Sequence, residues 1–130
     1  MATVWEMRDD ATRVLRGRRA FREQVSAIAV PPSDVDAAEL IYGELVANTI
    51  RYAAGAVEVR LERSEASPPV LVVRDHGPGI AAGHAHADPL AESGRGLAIV
   101  EQLANCVEVE PAEGGGTIVR ATLPVNARPA

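Results

Sequence analysis

One unbroken helical pattern, from residue 33 to about residue 54, restricts the fold of this chain more than any other feature. The Pro31-Pro32 pair ends the element before it, because a residue that precedes proline disfavours helical backbone. Ser33 offers an N-cap with acidic residues directly behind it, and Gly55 is well placed to stop the helix. The sequence therefore predicts a long helix that is mostly apolar over residues 41–53.

Other segments predict shorter elements around this helix. A first helix is indicated by the spacing of Val14, Phe21, Val25 and Ile28, with Gly17 weakening its first turn, and a third helix is indicated over residues 97–104. Apolar alternation or short apolar runs predict strands at residues 4–7, 57–61, 70–73, 107–109 and 117–123. Residues 64–69 and 114–116 predict connecting turns, and residues 77–94 predict a mobile loop.

Length and composition indicate one domain, residues 1–130, with a frayed tail over residues 125–130. Apolar residues make up 47% of the chain and charged residues 24%, ordinary values for a globular protein. The net charge of −5 argues against direct nucleic-acid binding, which needs excess cations. The apolar runs are far shorter than the ~20 residues of a membrane span, no signal segment is evident, and Cys106 is the sole cysteine. We therefore expect a cytoplasmic protein without a membrane segment, in which Cys106 is a small core residue.

A polar stripe interrupts the apolar helix. Glu44, Asn48 and Arg51 stand at positions i, i+4 and i+7, so they share one helix face. A carboxylate, an amide oxygen and a guanidinium in one stripe can hold hydrated Mg²⁺ and the phosphates around it. Taken alone, the stripe is explained at least as well by an ordinary solvent-facing surface.

Two glycine-rich segments follow. The first, at residues 75–79, begins with Asp75 at the end of the predicted buried strand; an ionised Asp accepts hydrogen bonds only, which suits the amine of adenine. Its glycines, Gly77 and Gly79, allow the backbone to approach a flat base. The second, at residues 94–97, opens the third helix, where backbone N–H groups bind phosphate well. Each segment alone is also explained by a plain turn or a loop-to-helix junction.

The order of these three segments, followed by Gly116-Thr117 at the start of a late strand, resembles the N box, the two glycine boxes and the adenine-side threonine of the Bergerat-type ATPases. Gyrase, histidine kinases and MutL belong to this superfamily. The resemblance covers most of residues 33–124 and implies an α/β two-layer sandwich. Its mixed, mainly antiparallel sheet would carry about three helices on one face. It also implies that ATP and Mg²⁺ bind beneath a lid formed by residues 80–93.

The resemblance also implies a role for individual residues. Asn48 would ligate Mg²⁺, Asp75 would hold the adenine amine, and Thr117 would support Asp75 through water. The remaining nucleotide-binding residues implied in this way are Arg51, Tyr52, Gly77, Gly79, Ile80, Gly94, Arg95, Gly96 and Leu97.

Within the superfamily, the chain looks most like the stand-alone anti-sigma factors that are also serine kinases. That branch implies Glu44 as the general base, a small anti-sigma-antagonist protein as the substrate, a sigma factor as a possible further partner, and a homodimer. Two alternatives stay open: a non-catalytic binding module gated by nucleotide, and a detached histidine-kinase catalytic domain acting in trans. The first helix also carries Arg13, Arg16, Arg19 and Arg22 away from its apolar side. They form either a docking surface for an acidic partner or a solvated face.

Overall fold

The structure is a computed structural model that describes residues 2–52, 55–65, 67–76 and 94–129. The described helices are α1 (Ala11–Arg16), α2 (Arg18–Ile28), α3 (Val35–Tyr52) and α4 (Gly94–Leu103). The strands are β1 (Ala2–Asp10), β2 (Ala29–Val30), β3 (Ala56–Ser64), β4 (Ser67–Asp75), β5 (Cys106–Pro111), β6 (Thr117–Thr122) and β7 (Asn126–Ala127).

Five strands form the main sheet, in the order β1-β3-β4-β6-β5, and every pairing between them is antiparallel. Strand β4 is central, which explains its continuous apolar run: Leu71, Val72 and Val73 are all buried. Strand β1 lies at one edge of the sheet. It extends over nine residues, whereas the sequence predicted a strand at residues 4–7 only.

The helices cover one face of this sheet. Val57, Val59 and Leu61 of β3 alternate with charged residues and belong to the same buried cluster as the apolar side chains of α1, α2 and α3. Glu58, Arg60 and Glu62 point away from that cluster, and Arg60 forms ion pairs with both carboxylates. The predicted α/β two-layer sandwich is therefore confirmed, with four described helices where about three were expected.

The predicted first helix is divided in two at Gly17. Its four predicted core residues, Val14, Phe21, Val25 and Ile28, are nevertheless all buried. A β-carbon at Gly17 would lie 2.7 Å from the sulfur of Met7, so glycine allows the helix pair to approach β1. Phe21 stacks on Tyr42 of α3 with ring centroids 4.6 Å apart, which joins this helix pair to the long helix.

Two predictions, one for the start of α3 and one for the C-terminal tail, are wrong. Asp34, rather than Ser33, caps α3, since its Oδ1 accepts a hydrogen bond from the N–H of Ala37. The tail is not frayed up to Arg128: β7 pairs with β2, and the N–H of Arg128 donates to the carbonyl of Ile28 over 2.9 Å. The Ser33 hydroxyl instead connects the two strands, donating to Val30 O and accepting from Asn126 N–H.

Cys106 is exposed, so the prediction that it is a core residue is wrong. It begins the edge strand β5 and lies opposite Thr122, next in register to the buried Ala121, so it projects from the face without helices. Among the described helices, none combines the length and apolarity needed to cross a bilayer.

Candidate functional site

Three elements converge at the predicted site. Helix α3 packs against α4 and also touches β4, the strand that ends at Asp75. The polar stripe lies on α3, and the second glycine segment begins α4 at Gly94. The three sequence segments therefore begin or lie on elements that are connected through α3, although they are far apart along the chain.

Asn48 lies on α3 and has an acceptor oxygen without a hydrogen-bond partner. Its side chain is half-buried, yet Oδ1 is shielded from solvent and accepts no hydrogen bond from any described residue. A buried oxygen without a partner costs about 1–3 kcal/mol and is uncommon in folded proteins. An amide oxygen is also a suitable ligand for Mg²⁺ or its waters, so Asn48 fits the metal role implied by the sequence. Glu44 lies one turn earlier on α3 and is half-buried.

Asp75 is held directly by the neighbouring strand. Its Oδ1 accepts a hydrogen bond from the backbone N–H of Thr117 over 3.2 Å, so the described contact does not use the threonine hydroxyl. The Thr117 side chain is itself buried. A backbone donor aimed at Oδ1 fixes the direction of the carboxylate.

Gly116 makes that contact possible, and the sequence did not single it out as a site residue. Its φ angle is +91°, and an added β-carbon would lie 2.1 Å from the backbone oxygen of Asp75 and 3.1 Å from its Oδ1. No side chain fits in that space. The signal in the sequence was the run of three glycines before the strand, whose φ angles are all positive.

The other predicted residues divide into three groups. Leu97 is buried in the core cluster on α4. Arg51 and Tyr52 form the last turn of α3, while Gly94, Arg95 and Gly96 form the first turn of α4, where helical N–H groups are unpaired. Gly77, Gly79, Ile80 and the predicted lid at residues 80–93 lie outside the described residues.

The arginine-rich face is partly neutralised by the protein itself. Arg22 donates to Asp36 over 2.6 Å and to Glu39 over 2.8 Å, and these hydrogen bonds, that to Glu39 first, raise the pKa of Arg22. Arg13 lies 3.7 Å from Asp9 and 3.6 Å from Asp10. These contacts favour the solvated-face interpretation for two of the four arginines.

The fold defines a two-layer α/β sandwich domain. The sequence matches the family described as histidine kinase-like ATPase domain over residues 7–123. The chain therefore belongs to that family. No curated protein matches it significantly.

Solved structures show the same fold. The mycobacterial sensor histidine kinase MprB is 24% identical, with a TM-score of 0.58, covering 95% of this chain and all of that one. The Acinetobacter baumannii histidine kinase AdeS is 23% identical, with a TM-score of 0.55 over 95% of this chain and 68% of that one. The histidine kinase domain of the E. coli osmosensor EnvZ is 20% identical, with a TM-score of 0.52, covering 100% of this chain and 94% of that one. At these identities the likeness concerns the fold alone.

Proposed function

We propose that this protein binds Mg-ATP in the space between α3, α4 and the end of β4. Asp75 would recognise the adenine amine, since its carboxylate is held by Thr117 N–H and can only accept. Asn48 would hold the metal, and Gly94 to Gly96 would direct backbone N–H groups at phosphate. Mg²⁺ bound there would neutralise the negative charge that develops on the phosphate oxygens.

We further propose that the protein is an anti-sigma factor with serine/threonine kinase activity, acting in the cytoplasm as a homodimer. Its substrate would be a small anti-sigma-antagonist protein, whose phosphorylation would weaken its binding to the kinase and leave the kinase free to bind a sigma factor. The observation that carries the kinase proposal is the position of Glu44, a half-buried carboxylate one helical turn before the unpartnered Asn48 oxygen.

That position gives Glu44 its role. A carboxylate beside the metal ligand can accept the proton of an incoming serine hydroxyl as its oxygen bonds to the γ-phosphorus and the bond to ADP breaks. Glutamine at this position keeps the size and polarity of the side chain but cannot take up the proton. We therefore expect Glu44→Gln to lower phosphoryl transfer by at least about 100-fold, in the range typical of a general base, with ATP affinity nearly unchanged.

The test is phosphorylation in a native lysate with radiolabelled ATP and either the wild type or Glu44→Gln. Glu101→Gln is the matched control, because Glu101 is an exposed carboxylate on the neighbouring helix α4. An acid-stable label on a small protein, lost only with Glu44→Gln, supports the kinase proposal. An acid-labile label would indicate transfer to histidine. Partners retained according to nucleotide without any label would indicate a binding module.

A further inference from the structure

The two edges of the main sheet differ in how readily they can pair with another strand. Strand β1 pairs with β3 alone among the described strands; it has nine residues, no proline and one register shift, between Thr3 and Trp5. Strand β5, at the opposite edge, has six residues and ends at Pro111. A long edge without proline presents unpaired N–H and C=O groups that a further strand can join.

Two charged side chains of β1, Glu6 and Arg8, form no ion pair with a described residue, whereas Asp9 and Asp10 both lie close to Arg13. Glu6 and Arg8 are both exposed and project from the face without helices, opposite Arg60 and Glu58 of β3. Each therefore lies in register with an opposite charge without forming an ion pair, and Arg60 forms its ion pairs with Glu58 and Glu62 of its own strand. The edge therefore carries one negative and one positive side chain that are available to a neighbouring strand.

Antiparallel pairing of two β1 strands satisfies both charges. If a two-fold axis passes through Met7, Glu6 of one copy lies directly opposite Arg8 of the other, and the same pair forms a second time. Side chains directly opposite in an antiparallel pair lie on the same face, so both pairs attract. The corresponding pairing of β5 about Val109 would place Glu108 opposite Glu110, two repelling pairs.

We propose that a second copy of this chain binds along β1, which joins the two five-stranded sheets into one of ten strands. This inference rests on the homodimer proposed above and gives it an interface. The interface leaves the candidate nucleotide site accessible, because β3 separates β1 from β4 and α4 packs on the far side of α3. Dimerisation at β1 is therefore compatible with ATP binding by both copies.

The test measures the dimer dissociation constant by sedimentation equilibrium for the wild type, Glu6→Arg and Arg8→Glu. We expect each variant alone to raise it by at least about tenfold, since two attracting pairs become repelling. An equimolar mixture of the two variants should recover near-wild-type affinity, because one strand then carries two positive charges and the other two negative charges. Glu108→Arg on β5 is the control and should leave the constant unchanged.

The mixture separates loss of pairing from loss of folding, since each variant keeps its internal defect in the mixture. A wild type that is monomeric at all concentrations would overturn both the homodimer and this interface, while leaving nucleotide binding to its own tests. A stable wild-type dimer that Glu6→Arg and Arg8→Glu do not weaken would overturn the β1 interface alone. Failure of the mixed variants to associate would also overturn it.

Discussion

The two ends of the candidate nucleotide site differ in how their polar groups are satisfied. At the adenine end, Asp75 accepts a hydrogen bond from Thr117, and Gly116 allows the two strands to approach closely. At the metal end, Asn48 presents a buried oxygen that accepts no hydrogen bond from a described residue. The adenine end is thus preorganised by a hydrogen bond within the protein, whereas we expect the proposed metal end to gain a polar partner from its ligand.

This difference has a physical consequence for substitutions. A group that is already satisfied contributes to the stability of the free protein, so its loss destabilises both the fold and the complex. A group that is unsatisfied costs stability in the free protein, so its loss weakens the complex without destabilising the free protein. The following substitutions test that distinction, from the largest expected effect to the smallest.

Gly116→Ala should have the largest effect of these substitutions, on both stability and ATP binding. The β-carbon would meet the Asp75 carbonyl at 2.1 Å, and the backbone would keep an unfavourable φ of +91°. We expect a loss of about 3 kcal/mol or more in the free energy of unfolding and weaker ATP binding. Chemical denaturation and isothermal titration measure the two effects.

Gly114→Ala is the control for backbone strain. Gly114 has a φ of +83°, but its β-carbon would have no neighbour within 4 Å. It should cost only the conformational strain, about 1–2 kcal/mol, and leave ATP affinity nearly unchanged. Equal effects of the two substitutions would show that the close approach to Asp75 is unimportant.

Asp75→Asn should test the charge at the adenine end while leaving the strand contact in place. The asparagine oxygen can still accept from Thr117 N–H, but its amide nitrogen donates where adenine also donates. We expect ATP affinity to fall about 10- to 100-fold and discrimination against GTP to decrease. Competition binding with both nucleotides checks this, and an unchanged preference for ATP would contradict the adenine assignment.

Asn48→Ala should affect the metal end without harming the free protein. It removes a buried oxygen that has no partner, and alanine is the better helix former. We expect the free energy of unfolding not to decrease, while the dependence of ATP affinity on Mg²⁺ disappears. Titrations of ATP with and without Mg²⁺ measure this dependence. The control is Asn105→Ala, beyond the end of α4, which should leave the dependence of ATP affinity on Mg²⁺ unchanged. If Mg²⁺ still tightened binding to Asn48→Ala, the metal role would be wrong.

Tyr42 is a buried core residue and provides a comparison with the two ends of the candidate nucleotide site. Its hydroxyl donates to the Val14 carbonyl over 2.6 Å, and burial raises the pKa of Tyr42 above its ordinary value. Stability from this group is complete below the unfolded-state pKa of about 10 and is lost as the pH rises beyond it. Tyr42→Phe should cost about 1 kcal/mol at neutral pH and flatten the alkaline loss. Equal alkaline slopes for both proteins, in denaturation at several pH values, would exclude Tyr42 as the cause.

Much of the fold was predictable because the periodicity of apolar residues within each segment indicates its secondary structure. The alternation of Val57, Val59 and Leu61 and the apolar run of β4 predict strands by themselves, since each side chain records which face it covers. The predicted helix face is also buried, although the helix is divided at Gly17; its residues are Val14, Phe21, Val25 and Ile28.

Features that depend on distant partners could not be predicted in this way. Strands β2 and β7 have two residues each and pair across most of the chain, so neither has a pattern of its own. The choice of Asp34 over Ser33 as the cap follows from the same pairing, because the Ser33 hydroxyl is occupied between Val30 and Asn126. At the site, the residue types indicated the ligand, but the need for glycine at position 116 arises only when Asp75 lies against it.

The pairing of β7 with β2 also affects when the protein can fold during its synthesis. Strand β6 joins the sheet between β4 and β5, and β7 completes the hydrogen bonding of the segment after α2. Both strands leave the ribosome after the other described strands, because they follow them in the chain and the ribosome adds about 5–20 residues per second. A nascent chain that ends before Thr117 therefore exposes one side of its central strand, and the main sheet can be completed only once β6 has emerged.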